Sequence, residues 1–197
     1  MIEIGVLALQ GSIIEHLRIL SKIEGINPHE VKSVSDLDKV SGLILPGGES
    51  TTIGKLLKDF ELAEPIIKRA HEGMPVWGTC AGMILMAKEI VNEDYIHLGL
   101  MDIAVRRNAY GSQLESFSST ISIPQVSNED IPLIFIRAPW VDRAGKDVDI
   151  LATLDSRIIA VQQNNLLATS FHPELTLSPA FHQYFAKLVA KSCLVNS

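Results

Sequence analysis

The chain has 197 residues, 47% of them apolar and 20% charged, enough for one domain with a sizeable core. Seventeen Lys and Arg against 23 Asp and Glu leave a net charge of −6, so no basic excess points to nucleic acid or to an anionic membrane. No apolar stretch is long enough to span a bilayer. Cys80 and Cys193 are far apart, make no disulfide framework and fit a reducing, cytoplasmic compartment. No Cys/His spacing resembles a zinc site, and neither a structural metal nor a cofactor is expected.

The first apolar run, "IEIGVLAL" (2–9), carries Glu3 and lacks a basic lead, so it reads as a strand and not as a signal peptide. Residues 12–25 form a helix pattern, with Ile13, Ile14, Leu17 and Leu20 at helical spacing, Ser12 as N-cap and Gly25 as stop. Strands follow at "HEVKSV" (29–34) and "SGLILP" (41–46). "TTIGKLLKDF" and "AEPIIKRAHEG" are helical, "PVWG" is a fourth strand, and "AGMILMAKEI" (81–90) is a helix. Near-continuous apolar strands separated by helices imply a parallel sheet covered on both faces.

The second half changes character. "MDIAVRRN", "SFSSTISI", "PLIFIRAP", "VDILATL", "RIIAVQQ" and "LLATSF" are closely spaced strand patterns, which predict hairpins and an antiparallel extension of the sheet. "SPAFHQYFAKLVAKS" closes the chain as a helix, with Phe181, Tyr184, Phe185, Leu188 and Val189 on one stripe. No linker or repeat divides the sequence, so residues 1–197 are expected to form a single α/β domain.

Gly78-Thr79-Cys80-Ala81-Gly82 has the form of a nucleophile elbow, with sulfur in place of the serine oxygen. The glycines relieve crowding where a strand turns abruptly into a helix. The helix N-terminus favours a thiolate, and the Ala81 N–H is placed to stabilise an oxyanion. A small buried cysteine beside packing glycines is the plain alternative; the strand before the motif and the helix after it favour the nucleophile. His172, in "LLATSFHPEL", is the candidate base. Glu174 is two residues on, on the same side of an extended chain, and orients the ring. His16, His29, His71, His97 and His182 read as ordinary structural histidines, and Cys193 as structural or incidental.

The loop "LPGGEST" (45–51) joins a strand to a helix, and its glycines let backbone N–H groups turn toward a bound oxyanion. It lacks the phosphate-loop form. If strands three and four are neighbours, this loop faces the elbow across the carboxyl ends of the strands, where open α/β sheets bind ligands. Otherwise it is a glycine turn capped by Ser50 or Thr51. Arg107 and Arg137 each end a strand and suit a substrate carboxylate, or a surface ion pair.

Together these motifs resemble the class I glutamine amidotransferases: GTCAG, a later HPE, and a PGG loop. "GVLALQG", "LILPGGESTT", "HLGLMDIAVRRNAYGSQLESF", "FIRAP" and "SFHPELT" narrow the resemblance to the glutaminase subunits of pyridoxal 5′-phosphate synthases, over residues 5–177. The resemblance implies a flavodoxin-like three-layer fold and hydrolysis of L-glutamine by Cys80, His172 and Glu174. It implies that Gly48, Glu49, Ser50, Arg107, Ile136 and Arg137 bind glutamine, and that Gly47, Gly48 and Ala81 form the oxyanion hole. It also implies delivery of ammonia to a separate synthase subunit in a hetero-oligomer, with Gln10 at that interface. The chain departs from the family pattern after "ELT", where an acidic and a basic residue are usual and "LSPAF" stands here. The competing expectations are the glutaminase subunit of imidazole glycerol phosphate synthase, disfavoured by "GGESTT" and "RRNAYGSQ", a cysteine peptidase or stress protein of related fold, and a non-catalytic regulatory subunit.

Overall fold

Alternate residues of the central strands point to opposite faces of the sheet, and both faces are apolar. In β3 (Gly42–Leu45), Leu43 and Leu45 join one core while Ile44 joins the other. In β4 (Val76–Thr79), Val76 and Trp77 divide in the same way, as do Leu166 and Leu167 in β12 (Leu166–Thr169). A strand buried on both faces has no reason to carry polar residues on either, which is why these segments read as unbroken apolar runs. The structure, a computed structural model, describes residues 1–107 and 116–195.

Among the described residues, ten strands form one sheet. Its parallel half runs in the order β2 (Ile26–Val31), β1 (Ile2–Leu7), β3, β4, β12. Registers such as Ile4↔Gly42, Leu43↔Val76 and Thr169↔Thr79 align the carboxyl ends of these neighbours. The antiparallel half continues through β11 (Arg157–Gln163), β9 (Trp140–Ala144) and β6 (Met101–Arg106). Beyond it, β5 (Ala87–Ile90) pairs parallel to β6, and β10 (Asp149–Leu154) pairs with β11. The hairpin of β7 (Ser116–Ile121) and β8 (Ile131–Ile136) is a separate two-stranded sheet. This is the flavodoxin-like sandwich of an α/β protein, with its predicted antiparallel extension.

One core lies between the sheet and three helices, α3 (Ser50–Asp59), α4 (Ala63–His71) and α5 (Ala81–Met86), with the short α2 (Val34–Leu37) at its margin. The other face is covered by α1 (Ile13–Leu20), α6 (Ala180–Val195) and the β7–β8 hairpin. Trp77 anchors that face. It is fully buried, stacks near Phe181, packs at a tilt against Phe185, and donates its indole N–H to Thr169 Oγ1 at 3.1 Å. Trp77→Ala is expected to cost about 3–5 kcal/mol, read as a lower urea midpoint with an unchanged denaturant slope.

Several elements differ from the sequence reading. The second strand starts before Pro28, not after it, because β2 is an edge strand where proline is tolerated. The helix predicted over 81–90 ends at Met86, and 87–90 form β5, since Ala87 and Ile90 are buried beside β6 while Lys88 and Glu89 face solvent. Strand β9 and helix α2 carry no strong pattern and were not foreseen. Ile14 is 63% exposed. The buried stripe of α1 runs instead through His16 and Leu20. Residues 108–113 of the "RRNAYGSQ" motif lie outside the described residues. No helix among the described residues is long and apolar enough to cross a membrane.

Candidate active site

The parallel strands deliver their carboxyl ends to one place. After β1 come Gln10–Ser12, after β3 the loop 46–49, after β4 Cys80, and after β12 the His172 turn. Strands β3 and β4 are indeed neighbours, so the glycine loop faces the elbow as expected. A cavity of about 460 Å³ opens between them, a size typical of small-molecule sites.

Cys80 sits on the sharp turn between β4 and α5 with φ 50° and ψ −104°, a left-handed conformation that a non-glycine residue adopts at a cost of about 1–3 kcal/mol. Its N–H is tied to Thr169 O at 2.8 Å, which holds the strained turn against β12. The flanking glycines are needed for space: a Cβ on Gly78 would run into the Gly82 carbonyl, and one on Gly82 into that of Leu45. The thiol is nearly buried, 7% exposed, and its Sγ lies 3.9 Å from Ile136 O. Helix α5 has six residues, shorter than the ten predicted, so its dipole assists the thiolate less than a full helix would.

His172 Nδ1 is 2.7 Å from Glu174 Oε1. The two residues meet differently from the expected extended pairing. Pro173–Leu175 form a single 3₁₀ turn, which folds the carboxylate back beneath the ring. The His172 N–H bonds Ile134 O at 2.8 Å, pinning the turn to β8. Burial works against the charged ring, but the Cys80 thiol and the Glu174 carboxylate outweigh it and raise His172 to about 10. Burial likewise opposes the Glu174 anion. The His16 ring, His172 and a 2.6 Å hydrogen bond from Ser12 Oγ outweigh it and hold the carboxyl at about 2. Ser12 is therefore a carboxylate partner, not the side-chain cap predicted for α1.

Gly47, Gly48, Glu49, Ser50, Arg107, Ile136, Arg137, Ala81 and Gln10 all line the cavity with Cys80 and His172, joined by Gly11, Ser12, Ile84 and Leu175. Gly47 has no room for a side chain, since a Cβ would meet the His172 ring. Its carbonyl is turned to Ser12 N at 3.0 Å, so the planar peptide sends the Gly48 N–H out on the opposite side. Glu49, not Ser50 or Thr51, caps α3 by accepting from Thr51 N and Thr52 N. Slight burial would raise its carboxyl, but the hydrogen bonds of Thr51 and Thr52 hold it at about 2. Gln10 Oε1 accepts the Glu49 N–H at 2.9 Å, tying the first loop to the glycine loop. Arg107 lies 3.6 Å from Glu49 and 3.4 Å from Glu93, and donates to Tyr95 Oη at 2.9 Å. Arg137 is exposed at the rim with φ 43°.

Sequence reasoning missed two residues behind the site. His16 and His182 are completely buried, and His16 Nδ1 lies 2.9 Å from His182 Nε2. The signal was present, since His16 falls three residues after Ile13 and four before Leu20, on the inward stripe of α1. His182 falls three residues before Phe185 and four before Ala186, both in the core that α6 covers.

A cysteine elbow at the carboxyl edge of this sheet, in one cavity with an imidazole held by a carboxylate, is the arrangement of a class I glutamine amidotransferase, and the family comparison agrees. The chain belongs to the SNO glutamine amidotransferase family, whose model matches residues 6–191. It is 54% identical over 187 residues to pyridoxal 5′-phosphate synthase subunit PdxT of Ruminiclostridium cellulolyticum, covering 95% of this chain and 99% of that one. It is 54% identical over 186 residues to the protein of the same name from a Thermoanaerobacter species, covering 94% and 98%. A crystal structure described as a glutamine amidotransferase superposes with a TM-score of 0.89 at 43% identity, covering 95% of this chain and 98% of the other.

Proposed function

We propose that this chain is the glutaminase subunit of a pyridoxal 5′-phosphate synthase. It hydrolyses L-glutamine to L-glutamate and ammonia and delivers the ammonia to a separate synthase subunit in a hetero-oligomer. The observation that carries the chemistry is that Cys80 and His172 line one cavity and Glu174 is bonded to the His172 ring from behind. The names of the relatives, at 54% identity over nearly their full length, support the partner and the pathway. One domain, 1–197, carries the activity. Cys80 stands as a thiol and not as half of a disulfide, which supports a cytoplasmic setting.

The Cys80 thiolate attacks Cδ of the glutamine side chain while His172 holds a proton. The carbonyl electron pair moves onto oxygen, which the Ala81 and Gly48 N–H groups receive. His172 gives its proton to the nitrogen as the C–N bond breaks. Ammonia leaves, and a γ-glutamyl thioester remains on Cys80. His172 then takes a proton from water, which adds to the thioester. Collapse of that adduct expels the thiolate and releases glutamate, restoring the starting ion pair. Glu174 stabilises the imidazolium throughout. At the rim, Glu49, Arg107 and Arg137 supply opposite charges for the ammonium and carboxylate of the substrate, with Ser50 and Ile136 completing the wall.

The glycine loop is the natural gate. Its Gly47 carbonyl is held by Ser12 and its Glu49 N–H by Gln10, so a partner that contacts Gln10 reaches the oxyanion wall directly. Gln10→Ala is expected to leave the fold intact and to lower synthase-stimulated hydrolysis roughly tenfold, the equivalent of one lost hydrogen bond of about 1.4 kcal/mol. The test of the whole reading is glutamate release by the purified chain, alone and with a pyridoxal 5′-phosphate synthase subunit added. Strong stimulation is expected. No stimulation overturns the proposed partner, and the imidazole glycerol phosphate synthase subunit is then the one to add.

A further inference from the structure

Behind Glu174 lies a second buried layer that the proposed chemistry does not use. Glu174 Oε1 is occupied, accepting from His172 and from Ser12. Glu174 Oε2 is fully buried and has no hydrogen bond of ordinary geometry among the described residues. The group facing it is His16 Nε2, at 3.5 Å, which also lies 3.3 Å from Thr79 Oγ1. His16 Nδ1 is 2.9 Å from His182 Nε2, and His182 Nδ1 is itself buried and unpartnered. Three elements, α1, β4 and α6, thus converge on the back of one carboxylate.

We propose that His16, aligned by His182, is a positioning residue that presents an N–H to the rear oxygen of Glu174 and so keeps its front oxygen on His172. This rests on the Cys80–His172–Glu174 reading above.

The direction of the protons follows from the contacts. A carboxylate only accepts, so His16 Nε2, which lies between Glu174 Oε2 at 3.5 Å and Thr79 Oγ1 at 3.3 Å, carries the hydrogen and shares it between the two. The neutral ring then has a bare Nδ1, and His182 Nε2–H donates to it. That leaves His182 Nδ1 as a lone pair without a partner, in agreement with its isolation. The opposite arrangement would aim a lone pair at the carboxylate and strand a buried N–H, the costlier orphan. Both rings are neutral in this scheme. Burial pulls His16 below the ordinary imidazole value, helped by His172 and opposed by Glu174 and Glu15. Burial takes His182 well below it, with His16 acting in the same sense and Glu174 against it. Trp77 packs edge-on against both rings and holds their planes. A carboxylate fixed from behind is the arrangement by which outer groups set the orientation and tautomer of an imidazole.

The test uses the chain assembled with its synthase subunit, in a Cys193→Ser background so that alkylation reports Cys80 alone. His16→Leu, His16→Gln, His182→Phe and Cys80→Ala are compared for kcat, KM for glutamine, urea midpoint, and the pH profile of Cys80 alkylation by iodoacetamide. His16→Leu is expected to lower kcat roughly 10- to 100-fold with KM little changed, and to move the alkylation profile. His16→Gln, which still offers an N–H, recovers most of the loss. His182→Phe lies between them. A folded His16→Leu with the wild-type kcat and alkylation profile overturns the proposal. So does an equal loss in His16→Leu and His16→Gln that merely follows their stabilities. If His16→Leu does not fold, His182→Phe decides, an unmoved alkylation profile overturning the proposal. Wild-type hydrolysis by Cys80→Ala would instead overturn the underlying catalytic reading.

Discussion

Cys80→Ala abolishes glutamine hydrolysis, lowering kcat by roughly four orders of magnitude or more, with or without the synthase subunit. The size of the effect comes from the route, not from binding. Without sulfur no thioester forms, and a water molecule must attack an unactivated amide directly. The fold has little reason to change, because alanine keeps the Cβ and occupies the same φ of 50°. The cavity stays lined by the same loops, so glutamine still binds. His172 loses one of the two partners that hold it at about 10, and its charged form becomes less favoured. Glutamate release measures the rate, and intact-mass spectrometry of wild-type protein quenched during turnover detects the γ-glutamyl adduct, absent in the variant.

Glu174→Gln comes next, with an expected loss of roughly 10² to 10⁴ in kcat. The amide is nearly the same shape as the carboxylate but cannot accept on both sides. Its front position receives two donors, His172 and Ser12. If the NH₂ group faces them, donors meet donors, and His172 is driven to the tautomer with its hydrogen toward Cys80. If the oxygen faces them, the NH₂ group meets His16. Either way the imidazolium loses its counter-charge. Stability should respond to pH in a defined sense. Glu174 titrates at about 2 in the folded chain against an ordinary value of 4.5, so its contribution is complete above 4.5 and disappears as pH falls toward 2. His172 titrates at about 10 against 6.5, so its contribution is complete below 6.5 and disappears as pH rises through 10. In Glu174→Gln the Glu174 share of the acid-side loss is absent, while that of groups such as Glu49 remains, and the alkaline-side loss is smaller. Urea midpoints across pH measure both.

The elbow was legible in the sequence because its chemistry is local. Gly78 is demanded by a steric limit within five residues, the Gly82 carbonyl, and a nucleophile between two glycines needs no distant partner to be recognised, although the space that Gly82 keeps is for the distant Leu45 carbonyl. The adjacent pair His172 and Glu174 was legible for the same reason, although the turn that joins them was not. An extended chain and a 3₁₀ turn both bring those side chains together, and the long-range bond from His172 N–H to Ile134 O favours the turn together with its local bonds from Leu175 N and Thr176 N. The central strands were legible too, because burial on both faces leaves an unbroken apolar run.

What the sequence determined by itself, then, was the set of short-range commitments: apolar strands for a covered parallel sheet, a strained cysteine turn, and an imidazole with its carboxylate. The tertiary structure decided everything that depends on contacts between distant segments. It ended α5 at Met86 because β6 offers Ala87–Ile90 a pairing that local propensity does not encode. It took Ser12 from its cap and gave it to Glu174, 162 residues away. It placed His16 and His182, 166 residues apart, in hydrogen-bond contact behind that same carboxylate. Hydrophobic spacing identifies which side of a helix is buried, but a polar residue on that side shows its purpose only when the group it faces has been brought to it.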